Sequence, residues 1–574
     1  MSNTELADIF NQIADLMELL GENRFRVNSY RKVSRILGDA TEDLRQLAEQ
    51  GRLRELEGIG EGTAGRIGQF FQTGRIDDHQ QLLAQVPEHL PALLSLPGLG
   101  PKTVARLWKQ GGITSLDQLR LAIHETPERL AEIHGLGKKK IQQIADSLAF
   151  VEASAGRIRL GAADELARRL IERIEEVDGI GRISPAGSLR RGKETIGDID
   201  ILVEAAGAAA EAAIEAHAGG QDVAKVLSRG PVKCFVLLEE GIEADLRVIE
   251  PDSYGAAMCY FTGSKDHNVA LRQRAIKQGW KLNEYGLFDG ETRIAGRDEE
   301  GIYEKLGLAW IPPQLREDRG EIQAAEAGQL PELVQLSDIR GDLHMHTTAS
   351  DGANSIAEMI AACRDRGYRY LCISDHSKSQ VQANGLNEDR LKRHAEQIRR
   401  TAGDFPDMLV LVGIEVDIFK DGSLDFDDAT LGQLDFVVGS PHSALSQKRE
   451  EATARFLRAI ECPYVHCIGH PSGRLIGRRE GMELDIEAIA AAAAAHDTAL
   501  EINASDSRLD LRDVHVRAAI AAGAKIIINT DAHSTFELEA MRYGILTAQR
   551  GWARPADILN TLTAPDLQAW LKQR

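Results

Sequence analysis

Gly341-Asp342-Leu343-His344-Met345-His346 is a short apolar run that ends on histidine, and the next, Leu371-Cys372-Ile373-Ser374-Asp375-His376, ends the same way. Five more follow: Leu411-Val412-Gly413-Ile414-Glu415, Phe436-Val437-Val438-Gly439-Ser440-Pro441-His442, Val465-His466-Cys467-Ile468-Gly469-His470, Leu500-Glu501-Ile502-Asn503 and Ile526-Ile527-Ile528-Asn529-Thr530-Asp531-Ala532-His533. Between them lie helical stretches such as Ile356 to Arg366, Glu388 to Thr401 and Ile486 to His496. Strand-like runs alternating with helices predict parallel strands joined by crossover helices. In such a barrel the loops at the C-terminal ends of the strands converge. Six of the seven runs would therefore deliver His, Asp or Glu to one place.

A single histidine ending a strand is more often a core or solvated residue than a ligand. Nine polar residues in register reverse that balance: His344, His346, Asp351, His376, Glu415, His442, His470, Asp531 and His533. Imidazole and carboxylate together suit zinc, manganese or iron, and nine ligands exceed what one ion takes. Two or three ions are expected, with Glu415 as a bridge. Clustered metals clamp a phosphate and lower the pKa of a bound water, which phosphoester hydrolysis requires. His394, His466, His496 and His515 lie mid-run or on helices and read as structural.

This C-terminal stretch resembles the PHP (polymerase and histidinol phosphatase) family. The resemblance implies a distorted seven-stranded barrel with up to three metals. Carried over by motif, His344, His346, Glu415 and Asp531 would hold one, Glu415, His442 and His470 a second, and Asp351, His376 and His533 a third.

The chain has 574 residues, enough for three or four domains. Hydrophobic and charged contents of 43% and 27% are ordinary for globular proteins. No apolar stretch approaches the ~20 residues of a membrane span. Met1 to Phe10 lacks the basic start and apolar core of a signal peptide, and six cysteines without a Cys-x-x-Cys pair fit a reducing compartment. A cytoplasmic protein is expected. Net charge is −20, but a carboxylate-rich metal domain lowers the total while a basic face elsewhere still neutralises phosphates.

Three segments near the start repeat an apolar, turn, Gly-x-Gly, helix pattern: Leu56-Glu57-Gly58-Ile59-Gly60, Leu96-Pro97-Gly98-Leu99-Gly100-Pro101-Lys102-Thr103, and Ile133-His134-Gly135-Leu136-Gly137-Lys138-Lys139-Lys140. Each reads as a helix-hairpin-helix whose backbone N–H groups point at a phosphate oxygen. Lys102 and Lys138 to Lys140 add charge without reading bases, so the expected DNA contact is independent of sequence.

In the middle, Gly187-Ser188-Leu189-Arg190-Arg191-Gly192 precedes Ile196-Gly197-Asp198-Ile199-Asp200-Ile201-Leu202-Val203. Residues two apart in a strand face one side, so Asp198 and Asp200 project together. Asp245 sits in another alternating strand, Ile242 to Ile249. Three carboxylates on neighbouring strands can hold two Mg²⁺ for in-line phosphoryl transfer, and the Gly-Ser and paired arginines supply a triphosphate cradle.

With Tyr260-Phe261-Thr262-Gly263-Ser264, Asn268, Arg272 and Asn283-Glu284-Tyr285, nearly the whole chain resembles the X family of DNA polymerases, specifically bacterial members with a C-terminal PHP domain. The resemblance implies that Gly187, Ser188, Arg191 and Gly197 serve the nucleotide's phosphates, and that Tyr260, Phe261 and Gly263 shape the sugar pocket and disfavour a ribose 2′-hydroxyl. It places Asn268 on the base and Arg272 on the template. Asp198, Asp200 and Asp245 would carry Mg²⁺ or Mn²⁺, with Asp245 taking the primer 3′-hydroxyl proton. Backbone carbonyls of Leu94, Leu96 and Leu99 match a Na⁺ or K⁺ site. The family's lyase lysine is matched by Arg66. A guanidinium stays protonated and cannot attack an aldehyde, so lyase activity is not expected, although Lys32 lies nearby in the family's fold. Glu243 stands where vertebrate relatives place an arginine, and Lys265 replaces an acid near the nucleotide.

The expected architecture is an all-α helix-hairpin-helix N-terminal region, an α+β nucleotidyltransferase palm and a C-terminal α/β distorted (β/α)7 barrel. Boundaries follow: a lyase-like domain at 1–73, hairpin-rich fingers at 74–150, palm at 151–250, a nucleotide-binding, thumb-like subdomain at 251–317, a polar linker at 318–337 and the barrel at 338–574. The expected function is a monomeric DNA-directed DNA polymerase that fills short gaps in base excision repair, using dNTPs on gapped or nicked DNA. Joined to it would be a 3′–5′ exonuclease, AP endonuclease or 3′-end phosphoesterase carrying two or three Zn²⁺, Mn²⁺ or Fe ions. Two other readings compete. A template-independent nucleotidyltransferase fused to a small-molecule phosphatase is opposed by the hairpin repeat. A non-catalytic DNA-end scaffold is opposed by the intact acids and the nine ligands.

Overall fold

The computed structural model describes residues 3–38, 44–55, 58–96, 99–133, 135–137, 139–145, 148 and 156–573. They form two compact units: Met1–Ala155 with the short segments Gly352–Asn354 and Gly477–Arg479, and a second holding Gly156–Asp351, Ser355–Ile476 and Glu480–Arg574.

The first unit is helical, and its apolar residues sort into two clusters. Leu6, Phe10, Ile13, Leu37, Ile67 and Phe70 fill one, and Leu90, Leu93, Val104, Leu107, Leu119 and Ile141 the other. Helix Asn3–Leu20 serves both, since Phe10 and Ile13 point into the first while Leu16 and Leu19 point into the second. Gly58 has φ +91, and a Cβ there would press on Ile36, so this turn requires glycine.

In the second unit a five-stranded sheet runs Ile183–Pro185, Asp198–Glu204, Glu243–Ile249, Lys233–Leu238, Val223–Arg229 in spatial order, with only Asp198–Glu204 and Glu243–Ile249 parallel. The two-residue period of the second strand divides its side chains. Ile199, Ile201 and Val203 join Leu166, Leu170 and Ile214 of helices Leu160–Glu175 and Ala208–Ala218. Leu202 packs with Tyr254, Ala257 and Met258 of helix Tyr254–Thr262 on the opposite face. Asp198 and Asp200 share that second face. A three-stranded antiparallel sheet, Lys281–Asn283, Gly286–Asp289 and Thr292–Ala295, follows helix Lys265–Lys277.

The stretch read as a polar linker is built into the unit. It contains helix Glu321–Glu326, and the wholly buried Glu321 lies 2.7 Å from His267 Nδ1. Glu321 also accepts from the backbone N–H groups of Asp318 and Arg319, so local turn geometry and a tertiary partner fix the segment.

The barrel is seven parallel strands in sequence order: Gly341–Asp342, Tyr370–Ile373, Leu409–Asp417, Phe436–Ser440, Cys467–Ile468, Ala499–Asn503 and Ile526–Asn529. The first and last meet through a parallel bridge between Met345 and Ala532, where Asp531 N–H donates to His344 O at 3.0 Å and His346 N–H to Ala532 O at 2.9 Å. Palm and barrel share apolar packing, because Leu509 and Tyr543 of the barrel join the palm cluster. Ion pairs border this seam: Arg474–Glu194 at 2.8 Å, Arg512–Glu194 at 3.2 Å and Arg159–Asp506 at 3.1 Å.

Among the described residues no helix is long and apolar enough to cross a membrane. None of the six cysteines forms a disulfide.

Candidate active sites

At the C-terminal mouth of the barrel the strands bring all nine sequence-derived residues together. Three groups have ligand atoms within 4.8 Å of one another: His346, Asp351, His376 and His533; His344, His346, Glu415 and Asp531; and His376, Glu415 and His442. His470 joins through Glu415, its Nε2 lying 2.9 Å from Oε1. Glu415 is thus the hub, as the sequence predicts, with His346 and His376 also shared between groups. The third group pairs Glu415 and His442 with His376, where the resemblance implies His470.

The donor set fits divalent cations on an observation independent of residue type. His344 Nε2, His346 Nδ1, His376 Nδ1, His470 Nδ1 and Glu415 Oε2 are buried without a hydrogen-bond partner. His376 Nδ1 and Glu415 Oε2 approach to 2.6 Å without hydrogen-bonding angles. Buried lone pairs are rarely left unmatched, and so many orphans beside the three donor groups suit cations.

Carboxylates behind the mouth orient the rings. Glu501 Oε1 is 2.8 Å from His344 Nδ1, which turns Nε2 toward Glu415 at 3.4 Å and Asp531 at 3.5 Å. Asp417 grips His442 Nδ1 and leaves Nε2 3.3 Å from Glu415. Burial opposes a charge on His442, but Glu415 and Asp417 outweigh it and raise its pKa to about 9. Asp375 accepts from Thr347 and Ser350 and pairs with His394 Nε2 at 2.8 Å, fixing the loop that carries Asp351. Such outer partners set ring orientation and ligand basicity.

In the palm, Asp200 and Asp245 are register partners on parallel strands. Asp198 is exposed and the other two are half-buried. Burial, then Asp198 and Asp245, push Asp200 up to about 7, and Asp245 rises to about 6 by burial against the pull of Arg247. Two raised acids beside a third carboxylate call for a cation. They do not close as tightly as the barrel donors: among the described residues, every group within 4.8 Å lies in the barrel. Gly187 has φ +59, and a Cβ there would overlap Asp200 Oδ2, so the glycine lets the cradle approach the acids.

Arg191 is held by Glu317 at 3.1 Å and donates to Thr262 O. Arg157 lies beside Gly197. Ser188 sits in the short helix Gly187–Arg190. Tyr260 and Phe261 form an edge-to-face pair with centroids 5.0 Å apart, and Arg247 lies over Phe261. Tyr260, Asn268 and Arg272 line one cleft with Leu282 and Asn283. Asn268 Nδ2 donates to Tyr260 O at 2.7 Å, and Gly263, with φ +68, ends the helix carrying Tyr260 and Phe261.

Comparison with known proteins shows the family. The chain is 37% identical over 579 residues, covering all of both chains, to the DNA polymerase/3′-5′ exonuclease PolX of Bacillus subtilis (strain 168). The chain belongs to the bacterial family X DNA polymerases with a C-terminal PHP domain. Family descriptions match in four places: a helix-hairpin-helix domain at 1–76, a SAM-like helix-hairpin-helix tandem at 90–149, the DNA polymerase beta thumb at 257–317 and the PHP domain at 342–505. The C-terminal part is also 28% identical to a probable phosphatase of Thermoanaerobacter sp. (strain X514) over 245 residues, 41% of this chain and 94% of that protein. A probable phosphatase of Shigella dysenteriae serotype 1 is 30% identical over 208 residues, 34% of this chain and 80% of that protein.

The helix-hairpin-helix matches fall in the first unit. Gly60 and Gly100 cap helices Glu61–Thr73 and Pro101–Gly111 with extended backbone and no side-chain acceptor, leaving first-turn N–H groups for an outside partner. Gly137 O starts the next helix by accepting from Lys140 and Ile141, and Gly135 has φ +84. Lys102 is exposed, 3.9 Å from Glu18. Gly98 and Lys138 lie outside the described residues. At the matched cation position, Leu96 O accepts from Leu99 N–H at 3.0 Å, and Leu94 lies in the 3₁₀ turn before it. Arg66 is engaged by Asp78 at 2.6 Å and packs on Tyr30, while Lys32 reaches Gly58.

Sequence reasoning missed Glu501, Asp417 and Asp375. Each sits within or beside a strand-like run, and no spacing rule separates an orienting carboxylate from a strand polar residue.

Proposed function

We propose that this protein is a template-directed gap-filling DNA polymerase whose barrel hydrolyses phosphoesters at DNA 3′ ends. The observation that supports it is one chain holding two separate acid clusters, Asp198, Asp200 and Asp245 beside a Gly-Ser-Arg cradle, and nine converging donors in the barrel.

Asp198, Asp200 and Asp245 would hold Mg²⁺ or Mn²⁺, which when bound neutralises charge on the transferring phosphoryl group. Ser188 and Arg191 seat the triphosphate. Tyr260, Phe261 and Gly263 pack against the sugar, Asn268 faces the base and Arg272 the template. Asp245 accepts the primer hydroxyl proton as a general base.

In the barrel the nine donors would hold two or three ions, which when bound make a water nucleophilic near neutral pH. Glu501 and Asp417 keep His344 and His442 oriented. Removal of a 3′ nucleotide, a 3′ block or an abasic-site linkage all need that water attack at phosphorus, and 3′–5′ exonuclease is named for the Bacillus subtilis relative. With Arg66 bound to Asp78, lyase chemistry is absent from the proposal.

Primer extension on gapped DNA tests the polymerase half. The wild type should add the templated nucleotide, Asp198→Ala should add none, and equal incorporation of all four dNTPs would favour a template-independent transferase instead.

A further inference from the structure

The seam between palm and barrel holds a pocket of about 510 Å³ outside both clusters. Arg157, Lys193, Arg319, Arg512 and Arg550 line it, with only Glu194 and Asp513 as acids. Every carboxylate of this network is shared. Asp513 lies between Arg319 at 3.0 Å and Arg550 at 2.8 Å, Glu194 between Arg474 and Arg512, and Glu317 between Arg191 and Arg550.

Adding Arg157 and Lys193, seven cations face three carboxylates. The Arg157 guanidinium is spent on Thr195, donating to its hydroxyl and carbonyl. The Lys193 ammonium is half-buried and, among the described residues, has neither an ion-pair nor a hydrogen-bond partner. Burial, and then Arg550, push it below the usual lysine range against the opposing pull of Glu317 and Asp513. Helix Asp513–Ala521 begins in the same pocket; its N-cap Arg512 supplies no side-chain acceptor, and among the described residues Asp513 Oδ1 accepts only from the Val514 N–H. A cavity with more cations than carboxylates, a lysine with no bonded acceptor and the start of a helix converge on one requirement, an anion. Arginine forks beside a lysine suit phosphate oxygens rather than a carboxylate alone.

We propose that the pocket binds phosphate groups between Lys193 of the palm and Arg512 and Arg550 of the barrel. Its volume admits more than one, so the occupant is a free diphosphate or consecutive phosphates of a DNA strand. Neither the polymerase acids nor the barrel donors belong to it.

Full-length protein in EDTA, with ionic strength matched by chloride, separates this pocket from metal-dependent binding. Inorganic pyrophosphate is titrated calorimetrically into wild type, Lys193→Gln and Arg512→Gln. The Arg512 side chain is 46% exposed, and neither substitution removes a partner of the Arg550 pairs with Glu317 and Asp513. Unchanged far-ultraviolet circular dichroism checks folding, and Lys193→Gln carries the test if Arg512→Gln misfolds.

A second arm measures the affinity of an unphosphorylated single strand against salt in the same proteins. Pyrophosphate binding weakened at least about tenfold in the variants supports a free diphosphate. A salt slope shallower by about 0.7 for each phosphate no longer neutralised supports strand backbone. If wild type and Lys193→Gln behave identically in both arms, the proposal is overturned.

Discussion

Glu501 is wholly buried, with Oε1 2.8 Å from His344 Nδ1 and Oε2 2.7 Å from the His470 N–H. It steers two barrel donors from behind. Glu501→Gln should weaken metal binding by about 10- to 100-fold, in line with other outer partners, read from nuclease activity against Mn²⁺ concentration; an unchanged curve contradicts the role. Gly187→Ala should suppress primer extension while leaving the barrel's activity intact, because its Cβ would displace Asp200. Glu299 shows a pH effect at this scale. Burial opposes its charge, but Arg316 and Arg190 overcome it and hold the carboxyl well below its usual range. A depressed carboxylate stabilises the fold above its unfolded pKa of about 4.3, and that contribution is lost as pH falls toward the folded value. Urea midpoints of wild type and Glu299→Gln should therefore converge as pH is lowered from about 6 to about 3; a gap that widens contradicts the sign. All nine barrel donors are legible in the sequence because each sits in or just after a strand-like run. Glu501 is not, since its strand shows no terminal charged residue to mark it.

Two of the ligand-bearing strands are cut short. The first and fifth barrel strands are only Gly341–Asp342 and Cys467–Ile468, because His344 and His470 belong to the turning chain that reaches the mouth. Strand order and the helices Ile356–Asp365, Glu388–Ala402 and Ile486–Ala495 follow the sequence pattern to within a residue or two. The packed segment 318–337 does not. Its six-residue helix has too few turns for periodicity and depends on the His267 contact, so a polar composition alone reads as linker. Within the barrel, Gly413 sits where a Cβ would overlap Cys372 Sγ and press on Phe436 O. Gly413→Ala should cost about 1–3 kcal/mol by overpacking, seen as a lower urea midpoint; a neutral substitution would show that the strands are free to move apart.

For the whole molecule, palm and barrel are one compact unit, joined by Leu509, Tyr543 and the Glu194 ion pairs. Sequence places two catalytic halves in one chain but not this seam, since its residues are scattered from Arg159 to Arg550 and none repeats a motif. Palm and barrel should unfold together in calorimetry, and Tyr543→Ala should split or lower that transition. The palm acids and the barrel donors should perform separate chemistries. Gapped DNA labelled at the primer, with Mg²⁺ and Mn²⁺, measures both at once in wild type, Asp198→Ala and His344→Ala. Asp198→Ala should degrade the primer without extending it, and His344→Ala should extend it without degrading it. Degradation that persists at the wild-type rate in His344→Ala would contradict that separation.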